Sequence, residues 1–160
     1  MKTTIFAVFL SASFAFAGKP ITFQELAAGD TIYVTFRSSG CFGESAYEFT
    51  FEANSFTVKV TDFEHHWIES EKRVQDVTRI SQGTGTLSAA EIAGLDRLFM
   101  FYRFKQPGGC TTVNVISATQ KRGDTVLASE SFTDESCATY DMPNLMLLPS
   151  IAAKAKPVTQ

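Results

Sequence analysis

The stretch Tyr47-Glu48-Phe49-Thr50-Phe51-Glu52-Ala53-Asn54-Ser55-Phe56-Thr57-Val58-Lys59-Val60 decides the fold of this chain. Apolar and polar residues alternate on both sides of a turn at 53–55, which is the two-residue period of half-buried β-strands. The pattern predicts a hairpin with one wet face and one face of Phe and Val side chains in the core.

Other strand patterns lie on both sides of this hairpin. The run 31–36 alternates β-branched and aromatic residues, and the runs 111–119 and 125–132 flank a turn at 121–124 that contains glycine. The sequence therefore predicts a further strand before the first hairpin and a second hairpin near the end of the chain. Residues 62–80 fit neither period cleanly, and we expect a twisted or bulged strand there.

One long helix is predicted between the two hairpins. Ser88-Ala-Ala-Glu91 has the spacing of a capping box, and Pro107-Gly-Gly109 ends the helical pattern. The apolar residues of one helix face are Ile92, Leu95, Phe99 and Tyr102. Two shorter helices are expected at 21–29, where Thr22 and Glu25 have capping-box spacing, and at 149–154.

The order of these elements indicates the fold class. Strands are grouped before and after the helix, which disfavours a doubly wound parallel sheet. We therefore predict an α+β fold, in which an antiparallel β-sheet of two hairpins plus additional strands carries one long amphipathic helix packed on one face.

The first 17 residues have the features of an export signal. Lys2 precedes an apolar run from Ile5, and the small-x-small triplet Ala15-Phe16-Ala17 resembles a cleavage site. The remaining residues, 18–160, are expected to form a single α+β domain that is periplasmic or secreted. No other apolar segment is long enough for a membrane helix, so no integral membrane segment is expected after signal removal.

Charge and cysteines narrow the function classes further. Without Lys2, 13 basic residues face 17 acidic ones, and such a chain has no electrostatic basis for binding nucleic acid.

Cysteines outside the cytoplasm usually form disulfides. The predicted second hairpin would bring Cys110 and Cys137 together, which makes them the expected pair. Cys41 is then left over, although its pairing with either of the other two stays open.

Two sequence features are candidates for a catalytic or metal-binding role. On a strand, Asp62, Glu64 and His66 would share one face and offer oxygen and imidazole ligands, but such residues are also ordinary on a wet strand. Cys41 could act as a thiol nucleophile beside a distant base, yet a structural cysteine fits an exported protein better. We therefore assign no catalytic, metal or cofactor-binding residues and expect no cofactor.

Two short motifs have structural explanations. Gly83-Thr-Gly85 is half of a phosphate-binding loop but lacks the lysine and the third glycine, so we interpret it as a flexible turn. Arg122-Gly-Asp124 is a tripeptide that some integrins recognise, and it also suits the tip of a hairpin for conformational reasons.

Cys41-Phe42-Gly43 and the nearby Tyr47, with the later segment Gly83–Leu98, resemble a family of bacterial exported domains of unknown function. That family opens with Cys-Phe-Gly-x-Cys-Pro-x-Tyr and later carries a small-residue turn before a capped helix. Ser45 and Ala46 stand where the family has its second Cys and its Pro. The resemblance implies a bacterial exported protein with an α+β fold and implies no activity.

These observations favour a small binding or interaction domain of the cell envelope or medium. Its expected partner is a protein, a peptide or an envelope component. The alternative is a small extracytoplasmic enzyme that uses Cys41 or the segment Asp62–His66. The enzyme hypothesis requires these side chains to converge in one cleft, whereas the binding hypothesis does not.

Overall fold

A computed structural model describes residues 19–40, 43–104, 108–109, 111–135 and 146–157. The predicted signal segment 1–17 and all three cysteines lie outside these ranges. The disulfide expected between Cys110 and Cys137 therefore stays a prediction.

The described residues form one antiparallel sheet with two helices. The strands are β1 (Asp30–Gly40), β2 (Gly43–Glu52), β3 (Ser55–Ile68), β4 (Arg73–Thr86), β5 (Val113–Arg122), β6 (Thr125–Asp134) and β7 (Lys156–Pro157). The helices are α1 (Ala89–Phe104) and α2 (Leu147–Ala153). The strand order across the sheet is β6-β5-β1-β2-β3-β4-β7.

The prediction of an α+β fold with one long helix on the sheet is wrong. The structure is mostly antiparallel sheet with two short helices. Residues 62–80, expected as one irregular strand, belong to two strands of 14 residues each that turn back at 69–72. The tail contributes as well, because α2 buries Leu148 and Ile151 in the same core as α1. Both predicted hairpins are present, as β2–β3 and β5–β6.

The short helix expected at 21–29 does not form. Asp96 of α1 accepts hydrogen bonds from the backbone N–H groups of Phe23 (2.6 Å) and Gln24 (3.2 Å). Arg103 donates to the carbonyl oxygen of Ile21 at 2.8 Å. These bonds hold the segment against α1, and its own backbone bonds close two turns, from Leu26 N–H to the Phe23 carbonyl and from Asp30 N–H to the Ala27 carbonyl.

The core lies between one face of the sheet and the helices, and we call this the inner face. Phe51 stacks on Phe49 at 5.3 Å between ring centroids and meets Phe23 edge-on at 5.2 Å. The predicted capping box starts α1, since Glu91 accepts from the backbone N–H of Ser88 at 2.7 Å. The opposite surface of the sheet, the outer face, carries the polar residues of the alternating pattern.

The β3–β4 hairpin is longer than its neighbours. Within the described residues, β2 pairs with β3 as far as Phe63, and β7 pairs with β4 at Gly83 and Thr84. Residues 64–77 thus form a two-stranded projection, which we call the ribbon. Among the residues described, neither helix is long and apolar enough to cross a membrane.

Candidate functional site

Of the metal candidates, Glu64 and His66 lie on the ribbon and Asp62 lies in the sheet just before it, and the described residues do not assemble a ligand set. His66 Nε2 lies 2.9 Å from Glu64 Oε2, and the same carboxylate oxygen lies 3.1 Å from the Arg79 guanidinium. Glu64 is therefore engaged by an ion pair. Among the described residues, no three His, Cys, Asp or Glu side chains come close enough together to hold a metal ion.

His65 is separated from His66 by the alternation of the strand. It lies on the opposite face of β3, where its Nδ1 lies 2.7 Å from Asp76 Oδ1. Cys41 lies outside the described residues, so its convergence with the histidines stays a prediction.

The two short motifs occupy structural positions. The turn expected at 83–85 is wrong, because Gly83 and Gly85 lie within β4 and pair with β3, and the strand continues to Thr86 before α1. A Cβ atom on Gly85 would lie 2.7 Å from the Phe56 ring. Arg122 donates to Asp30 Oδ1 at 2.6 Å, so its guanidinium is engaged by the sheet and is not presented freely at the hairpin tip.

Hydroxylated side chains form a row across the outer face. Each member lies directly opposite the next on the neighbouring strand, from β6 to β4. We call this set the hydroxyl row: Ser129, Thr119, Tyr33, Thr50, Thr57 and Thr84. Because directly opposed residues of a sheet point to the same side, six adjacent strands present a hydroxyl group along one line.

A second polar line runs beside the hydroxyl row, two residues along each strand. At the end formed by β6 and β5, this line contains Ser131 and Ser117, whose Oγ atoms lie 3.0 Å apart. At its other end, Lys59 Nζ donates to Glu48 Oε1 at 2.8 Å. These two charges neutralise each other, so this part of the outer face offers polar groups with no net charge.

Two grooves lie on this surface. One groove of about 530 Å³ lies between Tyr33 and Gln82, and a second of about 470 Å³ continues toward Lys156. The two grooves share Thr50, Thr57 and Thr84 in their walls. They therefore adjoin along the hydroxyl row, and their volumes fall in the range of small-ligand sites, about 300 to 1,000 Å³.

Tyr33 supplies the aromatic surface of the row. Its side chain is 45% exposed, and Lys121 Nζ lies 5.4 Å from the ring centroid. Lys156 lies opposite Thr84 and closes the far end of the row. The exposed Tyr33 ring, with Lys121 beside it, offers a surface on which a ligand can stack. The hydroxyl groups on the neighbouring strands can hydrogen-bond to the same ligand.

Sequence reasoning missed this site because the row crosses strands that are distant in the chain. The local alternation placed Thr50 and Thr57 on a wet face, but the partner of each residue depends on register. The signal that was available is Thr31-x-Tyr33-x-Thr35, where three successive outward positions of the strand carry hydroxyl groups.

Comparison with protein-family models, curated proteins and solved structures finds no significant match. The resemblance to bacterial exported domains thus stays a prediction. The case for a function depends on the geometry of the outer face alone.

Proposed function

We propose that the chain is a small exported binding domain that holds an uncharged, hydroxyl-rich polymer, such as a glycan of the cell envelope, along the hydroxyl row. The observation that carries this proposal is the alignment of six hydroxyl side chains on six adjacent strands. Export is part of the proposal and depends on the signal-like segment 1–17.

The chemistry of the row suits a ligand made of hydroxyl groups. A Ser, Thr or Tyr hydroxyl both donates and accepts, so it can pair with a sugar hydroxyl in either role. The two charged side chains that line the larger groove, Glu48 and Lys59, are paired at 2.8 Å, whereas the smaller groove is lined by Glu52 and Lys156. The larger groove therefore gains little from a charged ligand and more from a neutral one with many donors and acceptors.

The length of the row suits an extended ligand. Adjacent strands are about 4.8 Å apart, so five steps from Ser129 to Thr84 span about 24 Å. Two adjoining grooves follow the same line. A single small molecule would use a fraction of this length, whereas a linear polymer could contact successive strands.

Tyr33 adds a stacking surface near the middle of the row. The C–H face of a sugar ring is apolar enough to pack on an aromatic ring, and the half-exposed Tyr33 ring lies between Thr119 and Thr50. The combination of one ring and several hydroxyl groups supports a carbohydrate over a peptide, which would use the sheet edges for backbone hydrogen bonds.

Co-sedimentation with insoluble glycans tests the proposal. We would incubate the protein with purified peptidoglycan, chitin and cellulose and measure the bound fraction. Thr57→Val and Thr84→Val remove single hydroxyl groups at nearly constant shape. Thr78→Val is the matched control, because Thr78 lies on the same strand and face as Thr84 but next to the ribbon, six residues away from the row.

The proposal predicts binding to at least one of the three polymers. A hydrogen bond contributes about 1 kcal/mol, so each row variant should weaken binding about fivefold, and the Thr78→Val protein should bind like the parent. Binding that is equal for all variants, or absent for all three polymers, would contradict the proposal.

A further inference from the structure

In the part of the chain that the structure describes, the edge of the sheet at β4 is unpaired over most of its length. Within the described residues, β4 has a neighbour on this side at Gly83 and Thr84, where β7 pairs with it, and residues 73–82 have none. Their outward backbone N–H and C=O groups form a template for another strand. Val74 and Ile80 on the same segment are 53% and 60% exposed.

We propose that this edge pairs antiparallel with the same edge of a second copy of the chain, about a two-fold axis through Val77. The inference is independent of the glycan proposal, since it uses a different surface. A two-fold axis perpendicular to the sheet makes the contact isologous, so each copy presents the same segment to the other.

The sequence of β4 is self-complementary in this register. The opposing pairs are Val77–Val77, Asp76–Thr78, Gln75–Arg79, Val74–Ile80 and Arg73–Ser81. The exposed apolar residues oppose each other, and no like charges are directly opposed. Cross-strand apolar pairs stabilise a sheet, whereas like charges directly opposite each other destabilise it.

Neighbouring registers are worse. A shift that centres the axis on Asp76 would place the two Asp76 carboxylates opposite each other and Arg73 opposite Arg79. A shift that centres it on Thr78 would place Asp76 opposite Ile80. Longer shifts toward the base of the strand are blocked by β7, which occupies the edge at Gly83.

The preferred arrangement has a structural consequence for the outer face. The perpendicular axis keeps the outer faces of both copies on the same side of one continuous sheet. Trp67, which lies opposite Val74 and is 58% exposed, then forms a three-residue apolar line with Val74 and Ile80 of the second copy. Two hydroxyl rows would face the same way, which permits two-site attachment to one polymer.

The contact is small, so the dimer should be weak. It involves residues 73–81 of each copy and few side chains beyond them. Interfaces at the lower end of the size range are typical of transient complexes, and we expect a dissociation constant on the order of 10 to 100 μM.

Sedimentation equilibrium of the purified protein over a range from about 1 to 500 μM tests the dimer. Val74→Lys should raise the dissociation constant at least tenfold, because it places a charge opposite Ile80 in both halves of the contact. Val126→Lys on β6 is the matched control, since Val126 is the same residue type and is also 53% exposed. Circular dichroism checks that both variants are folded.

Cysteine crosslinking tests the register. Val77→Cys places two thiols at directly opposed positions, about 4.5 to 5.5 Å apart between Cα atoms, where a disulfide can form. Val74→Cys should not link to itself, because its predicted partner is position 80. Peptide mapping distinguishes the 77–77 link from links that involve the native cysteines.

The expected result is a concentration-dependent dimer that Val74→Lys disrupts, Val126→Lys leaves unchanged and the 77–77 disulfide traps. A protein that stays monomeric throughout the range overturns the proposal. A dimer that both lysine variants leave intact, or one that gives no 77–77 link, overturns the assigned edge or register.

Discussion

Gly85→Ala should destabilise the fold by overpacking the inner face. The added Cβ would lie 2.7 Å from two carbons of the Phe56 ring. Carbon atoms in contact prefer about 3.5 to 4.0 Å, so the ring would have to move by about 1 Å. Phe56 is buried and packs against Phe49 and Phe51, with centroid distances of 6.3 Å to each. The ring therefore cannot rotate toward solvent to relieve the clash.

The expected cost is about 2 kcal/mol, within the range of 1 to 3 kcal/mol for overpacked cores. For a domain of this size, that corresponds to a Tm lowered by roughly 5 to 10 °C. Urea unfolding should give the same loss in the free energy of unfolding with an unchanged m-value.

The matched control is Gly109→Ala, because a Cβ at Gly109 meets no atom within 4 Å and the backbone there is not in the left-handed region. This variant should be neutral or slightly stabilised. If Gly85→Ala unfolds at the same temperature and urea concentration as Gly109→Ala, the packing of Phe56 against β4 has been assigned incorrectly.

Two further predictions concern charged groups near the core. Burial acts to raise the pKa of Glu91, but hydrogen bonds from Lys154 and Ser88 outweigh it and lower the pKa. Glu91→Ala removes this cap and should cost about 1 to 2 kcal/mol in urea unfolding, whereas Glu52→Ala at an exposed turn should cost little. The hydrogen bond from Arg122 lowers the pKa of Asp30 against the opposing effect of burial. Since the folded-state pKa is below the unfolded value near 4, this stabilisation is complete above about pH 4 and is lost as the pH falls through the folded-state pKa. Arg122→Met should therefore flatten the acid side of the stability profile, and an unchanged acid dependence would contradict the assignment.

Local sequence signals predicted the elements whose causes are local. The capping box at Ser88 and Glu91 starts α1 as expected, because its hydrogen bonds join residues three apart. The alternation in 47–60 produced a hairpin, because its period is independent of the rest of the chain.

Tertiary contacts decided the elements that were predicted incorrectly. The segment 21–29 forms turns instead of the expected helix, and it is held in place by Asp96 and Arg103 of α1, which are more than seventy residues away in sequence. Residues 62–80 lack a clear period because most of the ribbon is exposed within the described part of the chain, so polar and apolar residues occur on both of its faces. The hydroxyl row was also beyond local reasoning, since it is defined by the register between strands.

An NMR titration tests the glycan proposal most directly. Amide chemical shifts of the labelled protein would be followed as soluble peptidoglycan fragments and chitin oligosaccharides are added. The proposal predicts saturable shifts that are largest at Tyr33, Thr57 and Thr84 on the outer face. Shifts confined to the ribbon, or no shifts with any of these glycans, would contradict it.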